Sequence, residues 1–175
     1  MNLESFIRNV EDFPIPGVHF KDITPLLRHP AAFAHSIEVL VEYCRDQGVT
    51  DIVAPDARGF IWGAPVAYAL EAPLHLVRKP GKLPPPFHSA EYDLEYGHQT
   101  LALSTLASFG SQRVVCVLDD VNASGGTAAA VEGLVRQAGA NNIVHACVID
   151  LTFLKPDVSA LPDSARPFSV MALDR

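Results

Sequence analysis

The sequence predicts an α/β fold: an open, mostly parallel, twisted sheet with helices on both faces. Short apolar runs near Ile52, Leu74, Arg113 and Ile143 lack the alternation of half-exposed strands, which is typical of strands buried on both faces. Segments whose apolar residues recur at helical spacing lie between these runs. Loops rich in glycine and charge follow the runs, at the carboxyl ends where open α/β sheets bind ligands.

Periodicity and turn residues assign the elements in chain order. Fourteen prolines are concentrated at the predicted turns. Glu91–Tyr96 and Gln99–Leu103 alternate like two half-buried antiparallel strands, with Gly97 near their turn. The other predicted elements are helices at Ala31–Arg45, Phe60–Leu70 and Thr127–Ala138, buried strands at Ile52–Pro55, Leu74–Val77, Arg113–Leu118 and Ile143–Leu151, and an edge strand at Phe168–Leu173.

Composition limits the function classes. A chain of 175 residues suits a single domain with a real core, which we assign to residues 1–175 with a small N-terminal hood over about 1–28. The net charge of −7 argues against general nucleic-acid binding. The sequence has neither an apolar run of membrane-span length nor a signal-peptide core, so we expect a cytoplasmic protein without a membrane partner.

The cysteines and histidines do not indicate a metal centre. Cys44, Cys116 and Cys147 fall in apolar helix or strand segments without Cys-x-x-Cys spacing, which predicts buried, reduced thiols. The seven histidines are scattered and match no metal motif.

The stretch RVVCVLDDVNASGGTAAA, residues 113–130, predicts an anion site. A strand, a glycine turn and a helix start place free backbone N–H groups at the positive end of a helix dipole. Its spacing matches neither a Walker-type phosphate loop nor a dinucleotide loop. A Gly-Gly turn alone could merely supply a positive φ. Asp119 and Asp120, directly before the turn, add carboxylates suited to sugar hydroxyls and to a hard cation such as Mg²⁺.

Two further loops carry cations. Asp56–Gly59 places an arginine beside a helix start, which can add guanidinium donors to free backbone amides or simply cap the helix. Arg78–Lys82 holds three cations around a Pro-Gly turn, which favours phosphate binding over a solvated charged face.

Two irregular segments have open interpretations. Phe13–Ile23 contains two prolines and a glycine that argue against a regular ladder. It is either an arm that packs Phe13 and Phe20 on the core or a platform on which Phe20 stacks a planar base. Leu83–Gly97 is long for a loop in a compact domain, and we predict that it forms a flexible lid.

Five stretches, in this order, resemble the type I phosphoribosyltransferases and, within them, the adenine phosphoribosyltransferase family. They are FPIPGVHFKDITPLL, DARGFIWGAPVA, VRKPGKLP, YDLEYG and LDDVNASGGTA, and they extend from about Phe13 to Thr127. The resemblance implies the fold of that family and purine salvage: transfer of the phosphoribosyl group of phosphoribosyl diphosphate (PRPP) to N9 of adenine, giving AMP and pyrophosphate. It also implies Mg²⁺ and a homodimer.

The resemblance assigns roles by position. The 5′-phosphate and ribose of PRPP are expected at Asp119, Asp120, Ala123, Ser124, Gly125, Gly126 and Thr127. Pyrophosphate is expected at Ala57, Arg58, Arg78, Lys79 and Lys82, the two lysines coming either from the neighbouring subunit or with lid closure. Adenine is expected at Val18, Phe20 and Arg58. The implied catalytic residues are Glu95, which handles the purine imidazole proton, with Arg58, Asp119 and Asp120. Mg²⁺ arrives with PRPP, near the two aspartates, without a direct protein ligand.

The chain departs from the family pattern at His19, Asp56, Asn122 and Ser124, and the last of these keeps the usual hydroxyl. His19 and Asn122 bear on which base is accepted. An enzyme for hypoxanthine or guanine is therefore an alternative. A non-catalytic PRPP or purine sensor on the same fold is another alternative, but the sequence shows no DNA-reading module before Phe13.

Overall fold

The computed structural model describes residues 1–94, 97–154 and 167–174. The helices are α1 (Thr24–Leu27), α2 (Pro30–Asp46), α3 (Gly59–Leu70) and α4 (Gly126–Gln137). The strands are β1 (Arg8–Val10), β2 (Phe20–Asp22), β3 (Asp51–Pro55), β4 (Leu74–Arg78), β5 (Phe87–Leu94), β6 (Gly97–Ser104), β7 (Val114–Asn122), β8 (Asn142–Leu151) and β9 (Phe168–Leu173).

Seven strands form one sheet in the order β5-β6-β4-β3-β7-β8-β9. The strands from β4 to β9 in this order pair in parallel, and β6 and β5 extend the sheet as an antiparallel hairpin. This confirms the predicted open, mostly parallel sheet. Because β3 lies between β4 and β7, the loops that leave these three strands start within about 10 Å of each other.

Successive strand residues supply two separate cores, one on each face of the sheet. Ile52 packs with α2 and α3, while Val53 packs with α4, as the alternation of side chains along a strand requires. Trp62 of α3 is fully buried and donates its indole N–H to Ser36 Oγ at 2.8 Å, so its polar atom has a partner. Helices therefore cover both faces, as predicted.

The predicted helices and strands are present, with ends shifted by a few residues, and Phe168–Leu173 is an edge strand as predicted. The prediction that Leu74–Val77 is buried on both faces is wrong, because only Val77 of this strand is buried and Leu76 is 38% exposed. All three cysteines are free and buried, which confirms that prediction. Within the described ranges, the chain forms no helix of the length and hydropathy needed to cross a bilayer.

The predicted end of the central strand is wrong. We expected it to stop at Leu118, whereas β7 continues through both aspartates to Asn122. Its neighbour β8 is ten residues long and supplies partners as far as Asp150, so the ladder extends beyond the apolar run.

Two irregular segments contain more regular structure than the sequence predicted. β2 pairs with β1 at the end of the Phe13–Ile23 passage, since its prolines precede the paired residues. The ion pair between Arg8 and Asp22, at 2.7 Å, supports this two-stranded ladder. In the predicted lid, Phe87–Leu94 is a strand paired with β6, so among the described residues before that strand the irregular part is 83–86. The motion implied by a lid stays a prediction.

Candidate active site

The loops after β3, β4 and β7 lie side by side at the carboxyl edge of the sheet. The Asp56 N–H donates to Val77 O at 2.8 Å, which fixes the loop after β3 against the end of β4. The residues predicted to hold a ribose, a pyrophosphate and a 5′-phosphate thus occupy one edge of the molecule, as the sheet order requires.

The loop between β7 and α4 has the geometry of the predicted anion-binding cradle. Gly125 caps α4 with φ +89°, a left-handed conformation that favours glycine, and Gly126 begins the helix. The N–H groups of the first helical turn face a cavity of about 110 Å³. Its lining includes the predicted phosphate residues Asp119, Ala123, Ser124, Gly125, Gly126 and Thr127.

The two adjacent aspartates have different surroundings. Asp120 is 3% exposed, and its backbone N–H donates to Asp119 Oδ1 at 2.8 Å. Burial raises the pKa of Asp119, the neighbouring Asp120 charge raises it further, and Arg58 only partly opposes this shift. Asp120 Oδ2 lies 2.8 Å from Arg58 Nε. We regard this contact as an ion pair without hydrogen-bond alignment, because the same oxygen accepts no hydrogen bond within the described ranges.

These carboxylates are chemically compatible with the predicted magnesium ion, which is expected near them without a direct protein ligand. Carboxylate oxygens suit Mg²⁺, which usually keeps several waters and binds through one or two carboxylates and substrate phosphates. Among the described residues, at this site and elsewhere, we find no group of three or more histidine, cysteine, aspartate or glutamate side chains that could hold a metal ion.

Arg58 connects three parts of the site. Its Cζ lies 5.5 Å from the centre of the Phe20 ring, while its Nε contacts Asp120. The Phe13 ring also meets the Phe20 ring edge-on, with the two ring centres 5.3 Å apart. The hood therefore brings the predicted base platform to the arginine. Val18 lies half-buried in the hood turn, where its N–H donates to Ile15 O at 3.2 Å.

The predicted pyrophosphate cations gather around Asp56. Arg78 Nε donates to Asp56 Oδ2 at 3.2 Å, and Lys82 Nζ lies 3.6 Å from the same oxygen. Lys79 is exposed, and its carbonyl accepts from the Lys82 N–H at 2.8 Å. Ala57 is exposed at the tip of its loop, and the Asp56-Ala57 peptide bond is cis. Arg78 and Lys82 are thus held on an acid, whereas the Lys79 side chain is exposed.

The predicted proton-transfer residue, Glu95, lies outside the described residues. The structure describes the backbone of the hairpin up to Leu94 and again from Gly97. The role of Glu95 therefore stays a prediction.

Sequence reasoning missed two features of the site. A Cβ on Gly59 would lie 2.9 Å from Pro55 Cδ and 3.1 Å from Asp119 Oδ1, so this glycine lets α3 approach the acids closely. The Asn122 Nδ2 donates to Asp150 Oδ1 at 2.9 Å, so β8 holds this amide group in place. Both depend on strand register, which the sequence pattern does not give.

Comparisons with known proteins agree with this geometry. The phosphoribosyl transferase domain family matches residues 22–168. The adenine phosphoribosyltransferase of Roseiflexus castenholzii is 50% identical over 155 residues, covering 89% of this chain and 90% of that protein.

Two solved structures share the fold. The adenine phosphoribosyltransferase of Thermoanaerobacter pseudethanolicus superposes with a TM-score of 0.88 at 39% identity and 98% coverage of both chains. The Giardia lamblia enzyme, solved with 9-deazaadenine, gives 0.90 at 30% identity, with 99% and 97% of the two chains covered. With this identity and coverage, and with the predicted loops together at one sheet edge, the chain belongs to the adenine phosphoribosyltransferase family of pentosyltransferases.

Proposed function

We propose that this protein transfers the phosphoribosyl group of PRPP to N9 of adenine, releasing pyrophosphate and forming AMP in purine salvage. Membership of the adenine phosphoribosyltransferase family supports the reaction class and the base. The observation that carries the assignment is the position of Arg58, between the Phe20 ring and the Asp120 carboxylate. One side chain thereby links a base platform to a ribose acid.

The residues divide the substrate among three loops. The N–H groups and hydroxyls of residues 123–127 bind the 5′-phosphate, and Asp119 and Asp120 face the ribose hydroxyls. Ala57, Arg58, Arg78, Lys79 and Lys82 receive the pyrophosphate. Adenine stacks on Phe20 beside Val18 and Arg58. The short distances from Arg78 and Lys82 to Asp56 support this division, because they place both cations at one loop.

Positioning and electrostatics drive the proposed chemistry. The C1′–oxygen bond of PRPP breaks as pyrophosphate departs, and the purine N9 forms the new bond to C1′ while its imidazole proton goes to Glu95. Arg58 and the lysines stabilise charge that develops on the leaving group, without reorganising at the moment of reaction. When bound with PRPP, Mg²⁺ neutralises part of the diphosphate charge. The Leu83–Gly97 segment then serves as the lid that excludes water.

A turnover assay with PRPP, Mg²⁺ and one of adenine, hypoxanthine or guanine tests the proposal. We expect kcat/KM to favour adenine clearly, because a pocket that hydrogen-bonds one purine edge leaves polar groups unpaired with the wrong base. If kcat/KM is instead highest for hypoxanthine or guanine, the substrate is a 6-oxopurine and the adenine assignment is wrong. Binding of PRPP without turnover of any base would instead favour a sensor.

We also propose a homodimer in the cytoplasm. The resemblance to adenine phosphoribosyltransferases implies the dimer. The free, buried cysteines support a reducing compartment. Light scattering after size-exclusion chromatography would show a mass near 38 kDa for a dimer, twice the 18.9 kDa chain. A mass equal to that of one chain would refute it.

A further inference from the structure

A chain of three ionisable side chains lies beneath the phosphate cradle. His145 Nε2 lies 2.8 Å from Glu132 Oε2, and Arg136 binds the other carboxylate oxygen through Nε and Nη2, both at 2.8 Å. His145 belongs to β8, whereas Glu132 and Arg136 belong to α4. The pair therefore fastens the helix that begins at the cradle to the sheet below it.

Strand register places His145 under this helix. It pairs with Val117 of β7, whose side chain packs with α4 in the core of that face. His145 also lines the 110 Å³ cavity together with the loop of residues 122–128. Of the described residues that line this cavity, His145 is the one that can carry a positive charge.

The orientation of the ring leaves one nitrogen for a ligand. Nε2 is held by Glu132, and Nδ1 accepts or donates no hydrogen bond with any residue that the structure describes. The side chain is 14% exposed, and its neighbours Val117, Val131 and Cys147 are buried and apolar. An aliphatic residue would pack in such a floor at lower desolvation cost, so packing alone does not account for a histidine here.

We propose that His145 is a positioning residue for the 5′-phosphate of PRPP, held by Glu132 at the floor of the cavity. An imidazole that donates from both nitrogens carries a positive charge, which complements the negative charge of a phosphate in the cavity. Glu132 acts through His145 by fixing its ring. This role of His145 rests on the proposed function in one respect, which is that the 5′-phosphate of PRPP binds in this cavity.

Calorimetric binding of ribose 5-phosphate and of pyrophosphate, measured separately, tests this role. Ribose 5-phosphate reports on the cradle and pyrophosphate on the loops after β3 and β4. We expect His145→Gln and His145→Phe to weaken ribose 5-phosphate binding about tenfold, a modest value for a charge-assisted hydrogen bond at a partly exposed site. Glu132→Gln should cause a smaller loss, and pyrophosphate affinity should stay at the wild-type value in all three variants.

A matched control exists on the same sheet. His75 Nε2 lies 3.0 Å from the buried Asp51, at the opposite end of the strands from the cavity. His75→Gln also breaks a histidine–carboxylate pair, so it should lower the melting temperature without changing either affinity.

Each outcome is decisive. Unchanged ribose 5-phosphate affinity in the His145 variants would overturn the inference, as would an equal loss for both ligands or an equal loss in His75→Gln. If the wild type turns over adenine and PRPP but the His145 variants bind normally, only this inference fails. If the wild type neither turns over nor binds ribose 5-phosphate, both the inference and the proposed function fail.

Discussion

Gly59 gives the sharpest test of how the fold positions the site. An ideal Cβ at this residue would lie 2.9 Å from Pro55 Cδ, 3.1 Å from Asp119 Oδ1 and 3.2 Å from Leu118 O. These atoms belong to the central strands β3 and β7, which are fixed by neighbours on both sides. In Gly59→Ala the start of α3 must therefore move outward, carrying Arg58 away from Asp120.

This crowding should lower both the stability of the protein and its catalytic rate. Overpacking of a tight core position costs about 1–3 kcal/mol. For a domain of this length the melting temperature falls by roughly 2–4 °C per kcal/mol, so we expect a drop of about 2–12 °C. A misplacement of about 1 Å can cost roughly 100-fold in rate, so a shift of a few tenths of an ångström should lower kcat/KM by about tenfold.

Gly63→Ala is the matched control for the stability effect. Its Cβ would lie 2.8 Å from Ala54 Cβ, one turn further along α3 and away from the aspartates. Differential scanning fluorimetry should show similar destabilisation for both variants. Steady-state kinetics, at a temperature where both are folded, should show the large loss only for Gly59→Ala. Equal kcat/KM in the two variants would refute the claim that this contact positions the site.

Three further predictions concern single charges. Lys82→Glu should raise the KM for PRPP more than Lys82→Ala does, because the glutamate repels the diphosphate in addition to losing the lysine contact. If the two variants have the same KM for PRPP, Lys82 is part of a solvated charged face. Glu95→Gln should lower kcat by roughly 10²–10⁴-fold with little change in the KM for PRPP, whereas wild-type turnover would exclude proton transfer by this residue. Burial acts to raise the pKa of Glu132, but hydrogen bonds from His145 and Arg136 outweigh it and hold that pKa below its ordinary value. The ionised Glu132 side chain therefore stabilises the folded protein at pH values above the ordinary carboxyl pKa, and this stabilisation is lost as the pH falls through the pKa of Glu132 in the folded state. The melting temperatures of wild type and Glu132→Gln should differ at neutral pH and converge in strong acid, and a constant difference would contradict this.

The sequence predicted the fold because burial on both faces leaves a strong pattern. Ile52 and Val53 are both fully buried although they point to opposite sides of the sheet, so their run shows no alternation. The charged loops were found because Asp56–Gly59 and Arg78–Lys82 come directly after two of the predicted strands. The sheet order then brings their loops together without any further signal.

What the sequence missed depends on distances between remote segments. It shows a glycine at position 59 but not the Asp119 carboxylate packed against it. It shows Asn122 after two acids but not that β8 presents Asp150 opposite it. His145 looked like part of an apolar strand, because neither its register with Val117 nor the position of Glu132 is encoded locally.

The ion pairs within the site determine which anionic ligands it favours. Arg58 contacts Asp120, and Arg78 and Lys82 contact Asp56, so three predicted ligand-binding cations already have protein partners at defined distances. These contacts hold the cations in place before a ligand arrives, which lowers the cost of ordering them. They also make an incoming anion compete with Asp56 and Asp120. A single phosphate oxygen gains little by such an exchange, whereas a diphosphate brings several oxygens to the loops after β3 and β4 at once. The arrangement therefore favours a multiply charged ligand over isolated anions, as the proposed substrate requires.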